Sequence, residues 1–233
     1  MKNNSDMNQP VVCEFMGPAG AGKTTLINAL LHQSNRFHLD FYLPRIKKIP
    51  YFISNTYLLL PTYLRHYRHS KWFTWRETRS MVYLRTGLDV LGQKATSNGR
   101  ITVLDHGPIY RLAFLREFGP EITKSQLYRD WWTELLNQWV ITLDLLVLLD
   151  APNDVLLDRI RDRDRKHSIK DADKPEAYEF LDRYRMSFDQ TIAESTDGRQ
   201  LPIIRFDTNK LSVDQIVEKL LVVFNQPQNN TVN

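Results

Sequence analysis

Eight consecutive residues, Gly17-Pro18-Ala19-Gly20-Ala21-Gly22-Lys23-Thr24, carry the spacing G-x-x-x-x-G-K-[ST]. Each fixed position has a chemical task. Glycines let successive backbone N–H groups turn inward around a phosphate, and a helix starting where the loop ends adds its positive terminus. Lys23 brings a mobile charge to the outer phosphates, and the Thr24 hydroxyl is placed to join a magnesium shell. Gly17, Ala19, Gly20, Ala21, Gly22, Lys23, Thr24 and Thr25 are therefore the expected contacts of a nucleoside triphosphate, with Mg2+ on Thr24.

Two further groups suit phosphoryl transfer. Asp105 closes the apolar run Ile101–Leu104, and a carboxylate at a strand's carboxyl end sits where ligands of open α/β sheets bind. There it can serve as a base toward an acceptor hydroxyl or stand in the outer shell of a metal. The plainer alternative is a turn or capping aspartate before Gly107-Pro108. The second group is the cationic stretch Arg159-Ile160-Arg161-Asp162-Arg163-Asp164-Arg165-Lys166-His167. Arginines delivered by a closing segment neutralise charge on the transferred oxygens. Arg159 and Arg163, four apart, are expected on one helix face. Asp158–Asp162 and Asp162–Lys166 have the same spacing, so a solvated helix of alternating charge is the competing reading.

The elements that must position these groups are legible as alternating patterns. Val11–Met16, Ile101–Leu104, Leu143–Leu149 and Ile203–Phe206 are short apolar runs, each ending near Gly or Asp, and read as buried strands. Helical spacing marks Thr24–His32, Glu77–Gln93, Lys124–Val140, Pro152–Arg165, Lys174–Glu194 and Val213–Phe224. The alternation implies βαβ units and a parallel sheet covered on both faces. Asp150 is expected to start a turn, with Pro152 near the first position of the next helix.

The acceptor side falls between Arg36 and Arg85. Ten Lys/Arg against Asp40 and Glu77 make this segment +8 in a chain whose net charge is +4, and it holds 12 of the 26 aromatic residues. Such a segment points to an anionic, partly flat partner. Arg45, Arg65, Arg76 and Arg85 are candidate ligands of its charge, and Phe41, Trp72 or Trp75 candidate stacking partners. Packing of a helical lobe with solvated cations is the plain alternative for any one of them. Within it, Ile49–Leu64 is uncharged and Pro-interrupted, too short to span a bilayer. Burial in the lobe is favoured over an interfacial helix leading to a lipid-linked acceptor. His66 and His69 lack further metal ligands and read as a solvated pair.

Among triphosphate-binding classes, the base-reading Asn-Lys-x-Asp of GTPases is missing, since Asn209-Lys210-Leu211-Ser212 lacks the aspartate, and no Leu-Ser-Gly-Gly-Gln-like signature occurs. The loop, the segment from Tyr83-Leu84-Arg85 through Ile101–Asp105, and Leu148-Leu149-Asp150-Ala151-Pro152 followed by Arg159 resemble the thymidylate kinase and deoxynucleoside kinase branch of P-loop nucleotide kinases. The resemblance runs from Val11 to about Leu221. It implies a three-layer α/β fold with a parallel sheet of about five strands, helices on both faces, and a helical acceptor and lid region. It implies ATP held by the loop, a lid closing over the phosphates, Asp105 beside the acceptor and Arg159 in the lid. Together with the residue chemistry above, this makes Lys23, Asp105, Arg159 and Arg163 the expected reacting machinery, with ATP and Mg2+. By the same resemblance Arg85 is an acceptor-binding arginine, Asp207-Thr208-Asn209 the loop near adenine, and helix-mediated homodimers common. Where the family has Asp-Arg or Glu-Arg-Ser at the strand end, this chain has Asp105-His106.

The sequence is thus read as one kinase domain over 10–224, with 36–85 as acceptor insert, 155–170 as lid, and 1–9 and 225–233 as frayed tails. The expected reaction is transfer of the γ-phosphoryl group to a nucleoside- or nucleotide-like small acceptor, anionic in character, rather than binding of nucleic acid. A nucleotide-dependent switch, or a kinase for a sugar or lipid-linked acceptor, would share the same loop. One cysteine, Cys13, excludes an internal disulfide, and the polar start and lack of a long apolar run fit a cytoplasmic protein without a membrane span.

Overall fold

Val11–Met16 forms β1 and leads through the glycine loop into α1, Lys23–Gln33. The computed structural model describes residues 11–39, 45–66, 71–94, 100–164, 166–194 and 201–225. The remaining elements are β2 (Phe37–Leu39), α2 (Arg45–His66), α3 (Trp75–Lys94), β3 (Ile101–Asp105), α4 (Pro108–Phe118), a 3₁₀ turn (Glu121–Lys124), α5 (Gln126–Thr142), β4 (Leu145–Asp150), α6 (Asn153–Arg161), α7 (Lys174–Ala193), β5 (Ile203–Asp207) and α8 (Val213–Asn225). The five strands are all parallel, in the order β2-β3-β1-β4-β5. This is the α/β three-layer arrangement of P-loop kinases.

Alternation along the strands builds two cores. Cys13, Phe15, Val103, Val147 and Leu149 face α1, α6 and α8, whereas Met16, Leu104, Leu146 and Leu148 face α3, α4 and α5. α7 contributes to both. The indoles of α5 fix the second layer: Trp139 donates to the Leu84 carbonyl at 2.9 Å and Trp132 to that of Leu112 at 3.0 Å. Both N–H groups are thereby satisfied inside an apolar environment. α3 begins with a capping box, in which the Thr74 amide donates to Glu77 at 2.6 Å and the Glu77 amide to the Thr74 hydroxyl at 3.4 Å. Ser125 and Asp173 cap α5 and α7 in the usual way.

Several boundaries differ from the sequence expectation. β2 has three residues, of which Phe37 alone is buried, and so gives no periodic signal. α4 begins where a turn is expected at Gly107-Pro108. Proline at the first helical position starts a helix as readily as it ends one, and α4 is apolar on nearly every side. α6 stops at Arg161, where the Asp162 amide returns to the Asp158 carbonyl, so Arg159 and Arg163 do not share a helix face. Asn225 belongs to α8 and accepts from Arg36 at 3.0 Å. The stretch 49–64 lies in α2, but only Asn55, Leu59 and Thr62 are buried there. Its other side is exposed, contrary to the burial expected. Phe41, His69, Arg165 and the tails at 1–10 and 226–233 lie outside the described residues, as do the side chains of Arg45 and His66.

Candidate functional site

The glycine loop is shaped by left-handed backbone. Gly17, Gly20 and Gly22 have φ of +144°, +86° and +84°, values open to glycine at little steric cost. At Gly17 space adds a second requirement, because a Cβ would lie 2.0 Å from the Leu149 carbonyl oxygen. Beside Gly22 there is open space instead, with no atom within 4 Å of a built Cβ. α1 starts at the next residue without a side-chain cap, so the amides of its first turn face the loop's mouth with no acceptor of their own. This is a cradle for an anion.

Lys23 is buried and folds back onto the loop, donating to the carbonyls of Gly17 at 2.7 Å and Pro18 at 2.9 Å. Burial pulls its ammonium down to about 8; Arg163 adds to the lowering, and Asp105 opposes it. Both charges are near enough to act on the Lys23 ammonium. Thr24 and Thr25 are exposed at the start of α1, and Ala19 and Ala21 complete the loop.

Asp105 reaches the same place because β3 pairs with β1 in the register Phe15 to Asp105. Both strands deliver their carboxyl ends to one edge. Burial alone would raise the Asp105 pKa, but His106, Lys23 and Arg111 outweigh it and hold the carboxyl below its ordinary value. Nδ1 of His106 stands 2.8 Å from Oδ1 of Asp105 without the alignment of a hydrogen bond, and that oxygen has no hydrogen-bond partner. His106 has φ +52°, the one positive value outside glycine among the described residues. Its ring meets that of Tyr110 edge-on at 4.4 Å. Strain at a non-glycine residue persists only where neighbours over-determine it.

Glu14, a residue outside the sequence expectations, is one such neighbour. It is fully buried in β1, and its two oxygens accept from the amides of Ile109 at 2.9 Å and Tyr110 at 2.8 Å. The carboxyl therefore caps α4 from inside the sheet and fixes the turn that carries Asp105 and His106. Burial raises its pKa to about 8 against the pull of those two amides. Gly107 leaves room for it, since a Cβ there would be 2.9 Å from Cδ of Glu14. The available signal was a charged residue inside an apolar strand run.

Arg111 on α4 also lies outside those expectations. Its guanidinium lies 4.0 Å over the ring of Tyr83, reaches Ser80 at 3.3 Å, and has its buried Nε unpartnered. Its charge acts on both Asp105 and Glu14. Arg76 lies 4.6 Å over Phe114 and, with Arg163 and Lys23, depresses the half-buried His167, although burial is the larger cause. Tyr184 donates to Tyr110 at 2.7 Å and is raised by burial and that tyrosine. Arg76, Tyr184 and Tyr110 thus lie along α3, α7 and α4, on the side of the sheet reached by His106.

Other expected residues are committed elsewhere. Arg159 donates to Thr208 Oγ1 at 2.9 Å, the Thr208 carbonyl at 3.0 Å and the Gly20 carbonyl at 3.4 Å, so it ties the phosphate loop to the turn after β5. Asp207 holds that turn by accepting from the Asn209 amide at 2.9 Å. Arg85 donates to Ser54 on α2 at 2.8 Å. Trp75 is exposed, with its ring near Phe52, and Trp72 packs on Tyr63 and Phe73. Asp150 forms a two-point ion pair with Arg185 and also accepts from Ala151, which makes it a structural turn residue. A groove of about 890 Å³ opens beside this ion pair, and no residue of the glycine loop lines it. Among the described residues no three His, Cys, Asp or Glu side chains gather as a metal cage, and no helix is long and apolar enough to cross a membrane.

No protein-family model matches the chain, and no curated protein matches it in sequence. Solved structures do match in shape. Thymidylate kinase from Candida albicans superposes with a TM-score of 0.56 at 16% identity, covering 94% of this chain and 95% of that one. Deoxyadenosine kinase from M. mycoides with dCMP and dCDP bound gives 0.51 at 18% identity, over 92% and 99%. Its complex with dATP gives 0.50 at 17% over the same shares. The chain has the fold of these P-loop nucleoside and nucleotide kinases.

Proposed function

We propose that this protein is an ATP-dependent kinase whose acceptor is a nucleoside or nucleotide. The observation that carries the reading is a left-handed glycine loop closed by Lys23 at the head of an uncapped helix, with Asp105 delivered to the same sheet edge by strand register. The neighbours in fold act on or hold deoxynucleotides, which agrees with it.

In this reading the loop amides take the β- and γ-phosphates, and Lys23 exchanges the carbonyls of Gly17 and Pro18 for phosphate oxygens. The lysine stays mostly protonated below about pH 8 and gains further protonation from the phosphates it meets. Mg2+, held by Thr24 together with phosphate oxygens, would neutralise charge on the triphosphate. Asp105 remains ionised at neutral pH, so its task is to orient the acceptor hydroxyl by accepting its hydrogen bond, more than to remove the proton beforehand. Arg111 supplies beside Asp105 the guanidinium that position 106 lacks. Arg163 and Arg76 supply the cationic wall facing the transferred group, and His167, held neutral by burial and by those arginines, stands beside them. Arg159 acts through Gly20, as a positioning residue for the loop.

ADP release in the presence of ATP and Mg2+, measured against a panel of nucleosides and nucleoside monophosphates, tests the reading. One acceptor is expected to raise the rate at least tenfold over hydrolysis. Slow hydrolysis unmoved by every acceptor, with ATP bound, would mark a nucleotide switch instead.

A further inference from the structure

Among the described residues, most of the exposed large apolar side chains lie on the outer face of α2, which the site leaves unused. Ile46, Ile49, Ile53, Tyr57, Leu60 and Leu64 are each 40% to 80% exposed. At 100° per residue, the spacings 3, 4, 4, 3 and 4 place all six within one narrow stripe along the helix. Phe52 and Trp75, whose rings are 6.4 Å apart and both exposed, widen it toward the start of α3. The opposite side carries buried Asn55, Leu59 and Thr62 and is seated against the body of the protein. Isolated exposed apolar residues are ordinary, but a continuous stripe of this length marks a surface that meets something.

Charge decides what it meets. α2 contains no Asp or Glu, and no acid occurs anywhere between Asp40 and Glu77. Lys47 and Lys48 are exposed at its amino end and Arg65 at its carboxyl end. On α3, Asp89 is taken up by the hydroxyl of Tyr51. A second copy laid against this face would bring two acid-free cationic helices together, which like-charge repulsion opposes. An anionic lipid surface satisfies both features at once: the apolar and aromatic stripe enters the headgroup and acyl boundary, and Lys47 and Arg65, on the flank of the stripe, meet lipid phosphates. We propose that α2 docks this protein on anionic membrane surfaces, lying in the plane of the interface and not crossing it. The proposal stands apart from the kinase reading, because no residue of the phosphate site takes part in it.

Co-sedimentation of the full chain with vesicles of phosphatidylglycerol and phosphatidylcholine in equal parts, and with phosphatidylcholine alone, tests it. Binding is expected to the anionic vesicles only, and to weaken as salt is raised. Ile53→Asp with Tyr57→Asp, and separately Lys47→Glu with Arg65→Glu, are each expected to weaken it at least tenfold. All four side chains are exposed, and an unchanged thermal midpoint verifies that the variants fold. Parallel sedimentation velocity without lipid is expected to be identical for native chain and variants. The proposal is overturned if the native chain stays in the supernatant with anionic vesicles. It is equally overturned if the variants bind as the native chain does, or if Ile53→Asp with Tyr57→Asp splits a dimer, which would show a second copy covering the stripe.

Discussion

The proposed phosphate loop and the proposed acceptor lobe are built on opposite plans. The loop is eight contiguous residues whose conformation follows from glycine backbone preferences and a strand on one side and a helix on the other. The lobe draws its cations from α3, α4 and the segment after α6, brought together by packing: Arg76, Arg111 and Arg163 are distant in sequence. Contiguous chemistry is readable one residue at a time, whereas assembled chemistry depends on which side chains the helices spend on each other. The lesson is that a basic segment announces a function without naming its effectors. The experiments that follow set the two plans against each other.

The largest effect belongs to the loop. Lys23→Met is expected to lower kcat/KM about a thousandfold or more, equivalent to about 4 kcal/mol of transition-state stabilisation, and to weaken ATP binding seen by calorimetry. A variant that retains native turnover would show that the contiguous motif is not the phosphate site. Next comes Asp105→Asn, which keeps the shape and removes the charge. Turnover measured with the responding acceptor should fall about a hundredfold or more while the urea midpoint stays near native. A change confined to stability would reduce Asp105 to a turn residue.

How far the site was legible follows the same division. The strand–loop–helix setting of the loop was readable in the sequence, and so was the position of Asp105, because a run of β-branched and apolar residues ending in an acid places that acid at a sheet's carboxyl edge. Four of five strands were readable for the same reason; the fifth, Phe37–Leu39, is a three-residue edge strand with one buried side chain. α4 was hidden because Pro108 follows Gly107 and because its buried faces leave little 3.6-residue contrast. With α4 unread, Arg111 had no strand end to belong to. Arg159 was legible as a cation near the triphosphate but not as one whose donors are taken by Thr208 and Gly20. Those partners lie 49 and 139 residues away, beyond any local rule.

A smaller effect probes the joint between the two regions. Glu14 holds α4 from within β1, and its folded pKa of about 8 lies above the ordinary 4.5. Between those values the folded chain keeps a proton that the unfolded chain has lost. Its contribution is therefore full below about pH 4.5 and is lost as pH rises through about 8. Glu14→Gln removes that titration and turns an amide NH2 toward one of the two backbone donors, leaving it unpaired at about 1–3 kcal/mol. Urea midpoints across this range should be lower for the variant at acid pH and should fall less steeply with rising pH. Turnover should drop about tenfold through displacement of Asp105. Parallel profiles for native and variant chains would remove Glu14 from the linkage.

The smallest effects separate the two arginines that the acceptor side offers. Arg85 looked like the acceptor ligand by its place before β3, yet its guanidinium is bound to Ser54 on α2 and is exposed to solvent competition. Arg111 is the one beside Asp105, stacked on Tyr83 with a buried Nε lacking a partner, the condition of a donor held for a ligand. Arg111→Met should raise the acceptor KM about tenfold, the usual worth of one charge-assisted contact, and leave the KM for ATP unchanged. Arg85→Met should move either constant less than about twofold, in line with an exposed pairing. The reverse ranking would mean that α3, not α4, presents the acceptor. It would restore the reading that the family resemblance gives, because the ligand would then be the arginine of the helix before β3.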